Sequence, residues 1–370
     1  MRVAVPVEIR SGEKRVALVP DIINKLTRLG LDVAIESKAG VHAQASDAEY
    51  EAAGAKVIAG DVLKDADVVL SVQPLTPEQM ATLKKGAITI SFLSITTAQD
   101  SIDAAIKAGV TAFSLELVPR ISRAQSMDAL SSQALCAGYR AALVGAELSP
   151  RFFPLLMTAA GTVTPAQVLV LGAGVAGLQA IATARRLGAV VSAYDVRPSS
   201  ADEVKSMGAT FIVLELESLE GAGGYAREMT EDRAAKQREL LTPYIAKSHV
   251  LITTAAVPGR PAPRLVTAAM VDSMSPGAVI VDLAAETGGN VEGSKPGEIL
   301  TTANGVRIWG GKDVPSQLPF HASMLYSRNV VNLLTLMTKE GVVTLDFEDE
   351  IIAGSVVAHN GELKKEVIKK

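Results

Sequence analysis

Gly172, Gly174 and Gly177 follow the apolar run Val168-Leu169-Val170-Leu171, and Asp195 ends the next run, Val190-Val191-Ser192-Ala193-Tyr194. A short run of β-branched residues and leucine reads as a buried parallel strand. Glycines at this spacing permit a tight turn and let the backbone approach a pyrophosphate. Leu178 to Leu187 has a helical pattern, and the free N–H groups and dipole at the helix start suit phosphate. A carboxylate about 20 residues further on falls where a ribose 2′-hydroxyl is bound. Strand, turn, helix and acid together predict a dinucleotide site with Gly172, Gly174, Val175, Ala176, Gly177, Asp195 and Val196 on it. Asp195 would accept the hydroxyl's hydrogen bond and repel a 2′-phosphate. Arg197 pulls the other way, since an arginine there can serve a 2′-phosphate. The strand-end position of Asp195 decides for NAD(H).

The elements that position this site must come from a large α/β core. A chain of 370 residues suggests two domains. Hydrophobic residues make up 48% and the net charge is −4, which excludes a basic footprint for nucleic acid. Cys136 is the one cysteine, so there is no internal disulfide framework, as in a reducing compartment. Glu8 and Arg10 leave no signal-peptide core at the start, and no apolar run reaches the ~18 residues of a membrane span. The expectation is a soluble chain that can still dock on a membrane partner. His42, His249, His321 and His359 lie far apart, without zinc-ligand spacing, so no metal is expected.

Strand-like and helix-like stretches alternate throughout, which predicts two Rossmann-like, doubly wound parallel-sheet domains. In the first, Val3–Val5, Val33–Ile35, Val68–Leu70, Ile88–Ile90 and Ala112–Leu115 read as strands, and Asp21–Leu29 as a helix ended by Gly30. Gly40-Val41-His42 lacks dinucleotide spacing, so this half is expected to be empty. Met127 to Leu148 reads as one long helix between domains. The second domain should use Val168–Leu171, Val190–Asp195, Phe211–Leu214, Val250–Thr253, Ala278–Leu283 and Val306–Trp309 as six parallel strands. A helical run, Ser327–Leu336, is expected to return to the first domain. The expected division is 1–133 plus 321–370, and 134–320, with a frayed end at Leu363–Lys370.

Arg120-Ile121-Ser122-Arg123-Ala124-Gln125-Ser126-Met127-Asp128, continuing to Ser131-Ser132-Gln133 and Ala137-Gly138-Tyr139-Arg140, resembles the signature loop and helix of the proton-translocating NAD(P) transhydrogenases, in their soluble NAD(H)-binding domain I or alpha subunit. The resemblance runs the length of the chain. It includes Arg2–Pro6, Arg15–Ala17, Ala159–Val163, Gly223–Ala226, Thr253–Ala255 with Pro258-Gly259, Asp282–Ala284 and Gly288–Asn290. Alanine dehydrogenases share the two-domain architecture. They bind and protonate an oxo acid with a lysine and a histidine of the first domain. The corresponding stretches here read Val69-Leu70-Ser71-Val72-Gln73-Pro74 and Ser91-Phe92-Leu93-Ser94-Ile95, with neither residue. Reducing an imino or oxo group needs a proton donor within hydrogen-bond reach. Arg15 persists, and the sequence leaves its role open between substrate contact and structure.

The resemblance implies direct hydride transfer from NADH on this chain to NADP⁺ on a partner beta subunit. Membrane domains on other chains would couple that step to proton movement. It implies a homodimer, peripheral to the cytoplasmic side of the inner membrane, and either a separate subunit or a piece of a longer chain. Arg120, Gln125, Asp128 and Ser131 would surround the nicotinamide and its ribose, with Tyr139 in support and Ile121 and Ser122 beside them. Gln125 would reach the facing nucleotide. The lesser alternative is a solvated loop and helix N-terminus, with Asp128 merely capping. Gly221–Ala226 looks like the family's mobile loop, with Gly224 and Tyr225 over the nucleotide. Gln237 and Ala256 are weaker carried-over contacts. The rivals are an alanine-dehydrogenase-like soluble enzyme and a non-catalytic nucleotide sensor.

Overall fold

Short β-branched runs become strands in the computed structural model, which describes residues 1–216, 230–257 and 260–365. In the first stretch, β1 (Arg2–Val5), β2 (Asp32–Glu36), β3 (Lys56–Ile58), β4 (Val68–Leu70), β5 (Ile88–Ser91) and β6 (Thr111–Ser114) alternate with α1 (Pro20–Arg28), α2 (Asp47–Ala52), α3 (Pro77–Thr82) and α4 (Gln99–Ala108). The long helix α5 (Ala129–Leu148) follows, then a hairpin of β7 (Leu156–Thr158) and β8 (Gly161–Val163). Next come β9 (Gln167–Leu171), α6 (Val175–Arg186), β10 (Val190–Tyr194), α7 (Ser200–Ser206) and β11 (Thr210–Phe211). They lead to α8 (Glu231–Lys247), β12 (Val250–Thr253), α9 (Ala268–Asp272), β13 (Val279–Asp282), β14 (Ile299–Thr301) and β15 (Arg307–Gly310). The last stretch holds α10 (Pro319–Met337), the small pair β16 (Thr338–Lys339) and β17 (Val342–Val343), α11 (Glu350–Ser355), β18 (Val356–His359) and β19 (Glu362–Leu363).

The chain divides into two units, Met1–Gln133 with Pro315–Lys370, and Ala134–Val314. Among the described residues, the first unit has an eight-stranded sheet in the order β19-β18-β6-β5-β4-β1-β2-β3. Its strands run parallel except β18, which pairs antiparallel with β6 and β19. Val3, Val68 and Ile90 face one apolar core and Ala4, Val69 and Ala112 the other, so both sheet faces are covered and the strands show no apolar–polar alternation. The core includes Tyr326, Val330, Val331, Leu333 and Leu334 of α10. Ser323 and Ser327 of that helix accept hydrogen bonds from the N–H groups of Val16 and Val19, which fixes the lead into α1.

The second unit has a seven-stranded sheet among its described residues, ordered β11-β10-β9-β12-β13-β15-β14. The first six of these are parallel and correspond to the six runs expected from the sequence. The order of those six is that of a full dinucleotide-binding fold, with the topological switch between β9 and β12.

Several boundaries differ from expectation for local reasons. The helix α6 starts at Val175 rather than Leu178, because Gly174 takes the N-cap position with extended backbone. Pro319, pre-set for a first helical turn, starts α10 well before Ser327. Asp128 ends the preceding segment as a cap, so α5 begins at Ala129. The return to the first unit falls at Pro315 rather than 321, where Ser316 already donates to Glu13. The strand expected at Phe211–Leu214 shortens to β11, and the antiparallel β14 at the sheet edge was not anticipated. Within the end expected to fray, Leu363 belongs to β19, while 366–370 lie outside the described residues.

Candidate functional site

The glycine turn of the second unit separates what the fold demands from what it leaves open. Gly172 has φ +101°, and a Cβ there would sit 2.6 Å from Thr254 Oγ1. A Cβ on Gly177 would lie 1.8 Å from the Gly172 carbonyl oxygen, so helix α6 can pack on the turn only through glycine. Gly174 is different. Its φ of −77° suits any residue, and a Cβ on it would meet nothing within 4 Å. Gly174 and Val175 are exposed, and no side chain caps the first turn of α6. Those N–H groups and the helix dipole form an open anion site at the carboxyl end of β9. A dinucleotide pyrophosphate fits there: the bare backbone of Gly174 gives close approach, and Ala176 adds only a methyl group.

Asp195 follows β10, and its carboxylate is already engaged. Oδ2 accepts from the Ala173 N–H at 2.7 Å and Arg197 Nη2 at 2.9 Å; Oδ1 accepts from the Arg197 N–H at 2.9 Å and Nε at 2.8 Å. Four donors match the roughly four acceptor positions of a carboxylate. Val196, between the two, is half-buried against the sheet's core. Gln237 is 2% exposed, and its amide oxygen accepts from the Tyr194 hydroxyl at 3.0 Å. Burial pushes the Tyr194 hydroxyl up to about 12, which keeps it a donor. Gln237 thus lies buried behind β10, its amide oxygen held by a packing bond.

Ala256 is exposed on the loop after β12. That loop is fixed by residues with no individual role in the sequence reading. Asn290 accepts from the Ala255 N–H at 3.0 Å and donates to the carbonyls of Ala255 and Pro263 at 2.9 and 2.8 Å. The carboxylate of Asp282, fully buried, accepts from Thr253 Oγ1 and from the N–H groups of Ala284, Asn290 and Val291. Thr254 Oγ1 donates to the Gly172 carbonyl at 3.1 Å, tying the loop to the glycine turn. The sequence signal was the Gly288-Gly289-Asn290 run, which marks a tight backbone approach without naming its purpose. Gly224 and Tyr225, like Pro258-Gly259, lie outside the described residues.

The first unit carries the other candidate cluster. Pro119, Arg120, Ile121, Ser122, Ala124, Gln125, Asp128 and Ser131 line a cavity of about 450 Å³. Ser122–Met127 is a 3₁₀ helix, in which side chains three apart eclipse. Ile121, Ala124 and Met127 pack on the apolar core, while Ser122 and Gln125 are exposed toward the cavity. The Asp128 carboxylate accepts from Ser131 N–H at 2.9 Å and Ser131 Oγ at 2.6 Å, capping α5. Asp128 and Ser131 are therefore bonded to each other. Tyr139, ten residues into α5, belongs to the second unit and is 41% exposed.

Arg15 sits in a buried polar knot of the first unit. It forms a two-pronged ion pair with Glu13 at 2.6 and 2.8 Å and donates to Gln133 Oε1 at 2.9 Å. Gln73 Nε2 and Ser316 Oγ also donate to Glu13. Burial opposes ionisation of Glu13, but the Arg15 guanidinium and these donors hold its carboxyl at about 2. Burial dominates at Glu8 and pushes its carboxyl up to about 7, although it accepts from the N–H groups of Val72 and Gln73.

A doubly wound sheet with an open glycine turn at the end of its first strand defines a dinucleotide-binding α/β protein. The chain belongs to the alanine dehydrogenase/PNT family: the N-terminal domain of that family matches residues 4–137 and the C-terminal domain residues 141–366. It is 47% identical to the first portion of the NAD(P) transhydrogenase subunit alpha of Rhodospirillum rubrum, covering 98% of this chain and 97% of that one. Identity is 29% to an alanine dehydrogenase of Mycolicibacterium smegmatis, over 100% of this chain and 96% of that one. A transhydrogenase structure from Sinorhizobium meliloti superimposes with a TM-score of 0.87 at 43% identity, covering 98% of each chain. An L-alanine dehydrogenase structure gives 0.82 at 26% identity, covering 98% of this chain and 96% of that one.

Proposed function

We propose that this chain is the NAD(H)-binding alpha component of a proton-pumping NAD(P) transhydrogenase. The observation that carries NAD(H) binding is Gly174: the protein's own packing does not require glycine there, whereas an approaching pyrophosphate does. Gly172, Gly174, Val175, Ala176 and Gly177 would cradle the phosphates, and Asp195 with Val196 and Arg197 would meet the ribose. Bound NADH supplies a hydride, and NADP⁺ on a partner beta subunit takes it. No proton moves in that step, so the chain needs no acid or base and acts by orientation in a dry site.

Arg120 would donate to the nicotinamide carboxamide, Asp128 and Ser131 would fix the ring's rotation, and Gln125 would reach the partner's nucleotide. Tyr139 would support them. Transhydrogenation is favoured over amino-acid oxidation because Arg15 is consumed by Glu13 and Gln133. Among the described residues no helix is long and apolar enough to cross a membrane. Proton movement is assigned to membrane domains outside this sequence, with this part at their cytoplasmic face. The homodimer is supported by the β7–β8 hairpin, whose six residues are all exposed and include Leu156, Met157 and Val163. An apolar surface of this kind marks an interaction site.

The test is titration with NADH and NADPH, followed by mixing with an NADP(H)-binding partner domain. NADH should bind more tightly, and hydride should appear on the partner's nucleotide. NADH oxidation or formation driven by L-alanine or its oxo acid at ordinary enzyme rates, without exchange with the partner, would overturn the proposal.

A further inference from the structure

The segment Ser122–Met127 is longer than the three or four residues at which 3₁₀ helices usually stop. Something outside its own hydrogen bonds must hold it. With three residues per turn it has three faces. Ile121, Ala124 and Met127 pack on the core, the first two also edging the cavity, and Ser122, Gln125 and Asp128 line the cavity alone. Arg123 and Ser126 share the third face, and no element of the proposed function uses them.

That third face is clamped at both ends. The guanidinium of Arg123 pairs with both carboxylate oxygens of Asp349 at 2.6 and 3.0 Å. Asp349 is itself fixed as the N-cap of α11 by the Ile351 N–H at 2.8 Å. The carbonyl of Ser126 accepts from Asn329 Nδ2 at 2.9 Å and Asn332 Nδ2 at 3.0 Å, both on α10. Asn329 is 7% exposed, and its Oδ1 accepts from Ser132 Oγ at 2.7 Å in the first turn of α5. One buried amide therefore bridges the end of the 3₁₀ segment and the start of the helix that Asp128 caps.

We propose that Asn329, with the Arg123–Asp349 pair, is a positioning residue that keeps this loop in three-residue register and so holds Gln125 and Asp128 in line for hydride transfer. Three residues turn through about 360° in a 3₁₀ helix but only about 300° in an α-helix. Relaxation toward α would swing Gln125 about 60° away from Ser122. The role in transfer rests on the proposed function; the role in register does not.

The test uses the full chain, Asn329→Asp and the exposed-site variant Arg123→Gln. Asn329→Asp removes the buried one of the two donors to the Ser126 carbonyl, leaves that of Asn332, and keeps the acceptor for Ser132; Arg123→Gln breaks the other clamp without entering the core. Amide hydrogen exchange of the peptide covering 120–128 should quicken at least tenfold in both. Single-turnover hydride exchange with the NADP(H)-binding partner should slow at least tenfold, while NADH affinity stays within twofold. Unchanged protection of the peptide overturns the clamp; faster amide exchange with an unchanged transfer rate overturns its role in hydride transfer. NADH affinity falling in step with the rate overturns positioning in favour of a structural role. If the wild-type chain passes no hydride to the partner, it is the proposed function that fails, and the amide exchange still decides the clamp.

Discussion

Asp195 and Arg197 form a closed pair: the arginine's backbone N–H, Nε and Nη2 all donate to the carboxylate two residues before it, and the Ala173 N–H supplies the remaining bond. A ribose diol can reach Asp195 only by displacing one of these donors, and Arg197 is the movable one. Arg197→Ala should therefore widen the preference for NADH over NADPH by about tenfold, or ~1.4 kcal/mol. Asp195→Ala should do the reverse, weakening NADH by roughly 1–3 kcal/mol as a charged hydrogen bond is lost. Parallel titrations with the two coenzymes check both. An unchanged preference in Asp195→Ala would show that this carboxylate does not read the ribose.

Gly174 and Gly177 should respond in opposite ways to the same added methyl. Gly174→Ala places a Cβ in open space. Melting temperature should hold, while NADH affinity drops at least tenfold, ~1.4 kcal/mol or more. Gly177→Ala drives a Cβ into the Gly172 carbonyl at 1.8 Å. Stability should fall by about 1–3 kcal/mol or more, as for an overpacked core. Thermal melts with and without NADH separate the two outcomes.

Gln125→Asn shortens a side chain on the cavity face of the 3₁₀ segment without touching its core or clamped faces. NADH affinity should remain near wild type, and hydride exchange with the partner should slow by about tenfold, ~1.4 kcal/mol on the barrier. A loss of NADH affinity instead would move Gln125 from the partner's nucleotide to this chain's own.

Glu8 makes stability depend on pH. Its folded value, raised by burial to about 7, stands above the ordinary 4.5. The folded state therefore binds the proton more tightly than the unfolded chain between these values. Stability contributed by this group is fully present below about 4.5 and is lost as pH rises through 7, on the order of 3 kcal/mol in all. Glu8→Gln should flatten that slope and gain stability relative to wild type at pH 8. Denaturant melts at pH 5 and pH 8 measure it; equal slopes in both proteins would contradict the assignment.

The six parallel strands of the second unit were legible because each is a short apolar run next to a turn, and buried parallel strands need no other signal. The edge strand β14 was not, since Ile299-Leu300-Thr301 is brief, largely exposed and paired antiparallel. The glycine turn could be read from spacing alone, but spacing gave all three glycines the same weight. Only the atoms around them separate Gly174, open, from Gly172 and Gly177, enclosed. The block from Arg120 to Asp128 was recognisable as a signature, and its period of three was in plain view. What each face touches depends on Asn329, Asn332 and Asp349, some 200 positions away, which no local pattern connects. The polar knot that occupies Arg15 likewise draws on Glu13, Gln73, Gln133 and Ser316.

The helix α10 has a consequence for how the chain is made. Tyr326, Val330, Leu333 and Leu334 are fully buried in the first unit, yet they are translated after the whole of the second. The N-terminal 133 residues leave the ribosome with a cleft where that helix belongs. Ala134–Val314 is contiguous and emerges with its full set of strands. The nucleotide-binding half can thus reach its native state while its neighbour still waits for its last fifty or so residues, a reversal of the usual N-to-C order of domain folding. Chaperones acting during synthesis would find their exposed apolar surface on the N-terminal segment.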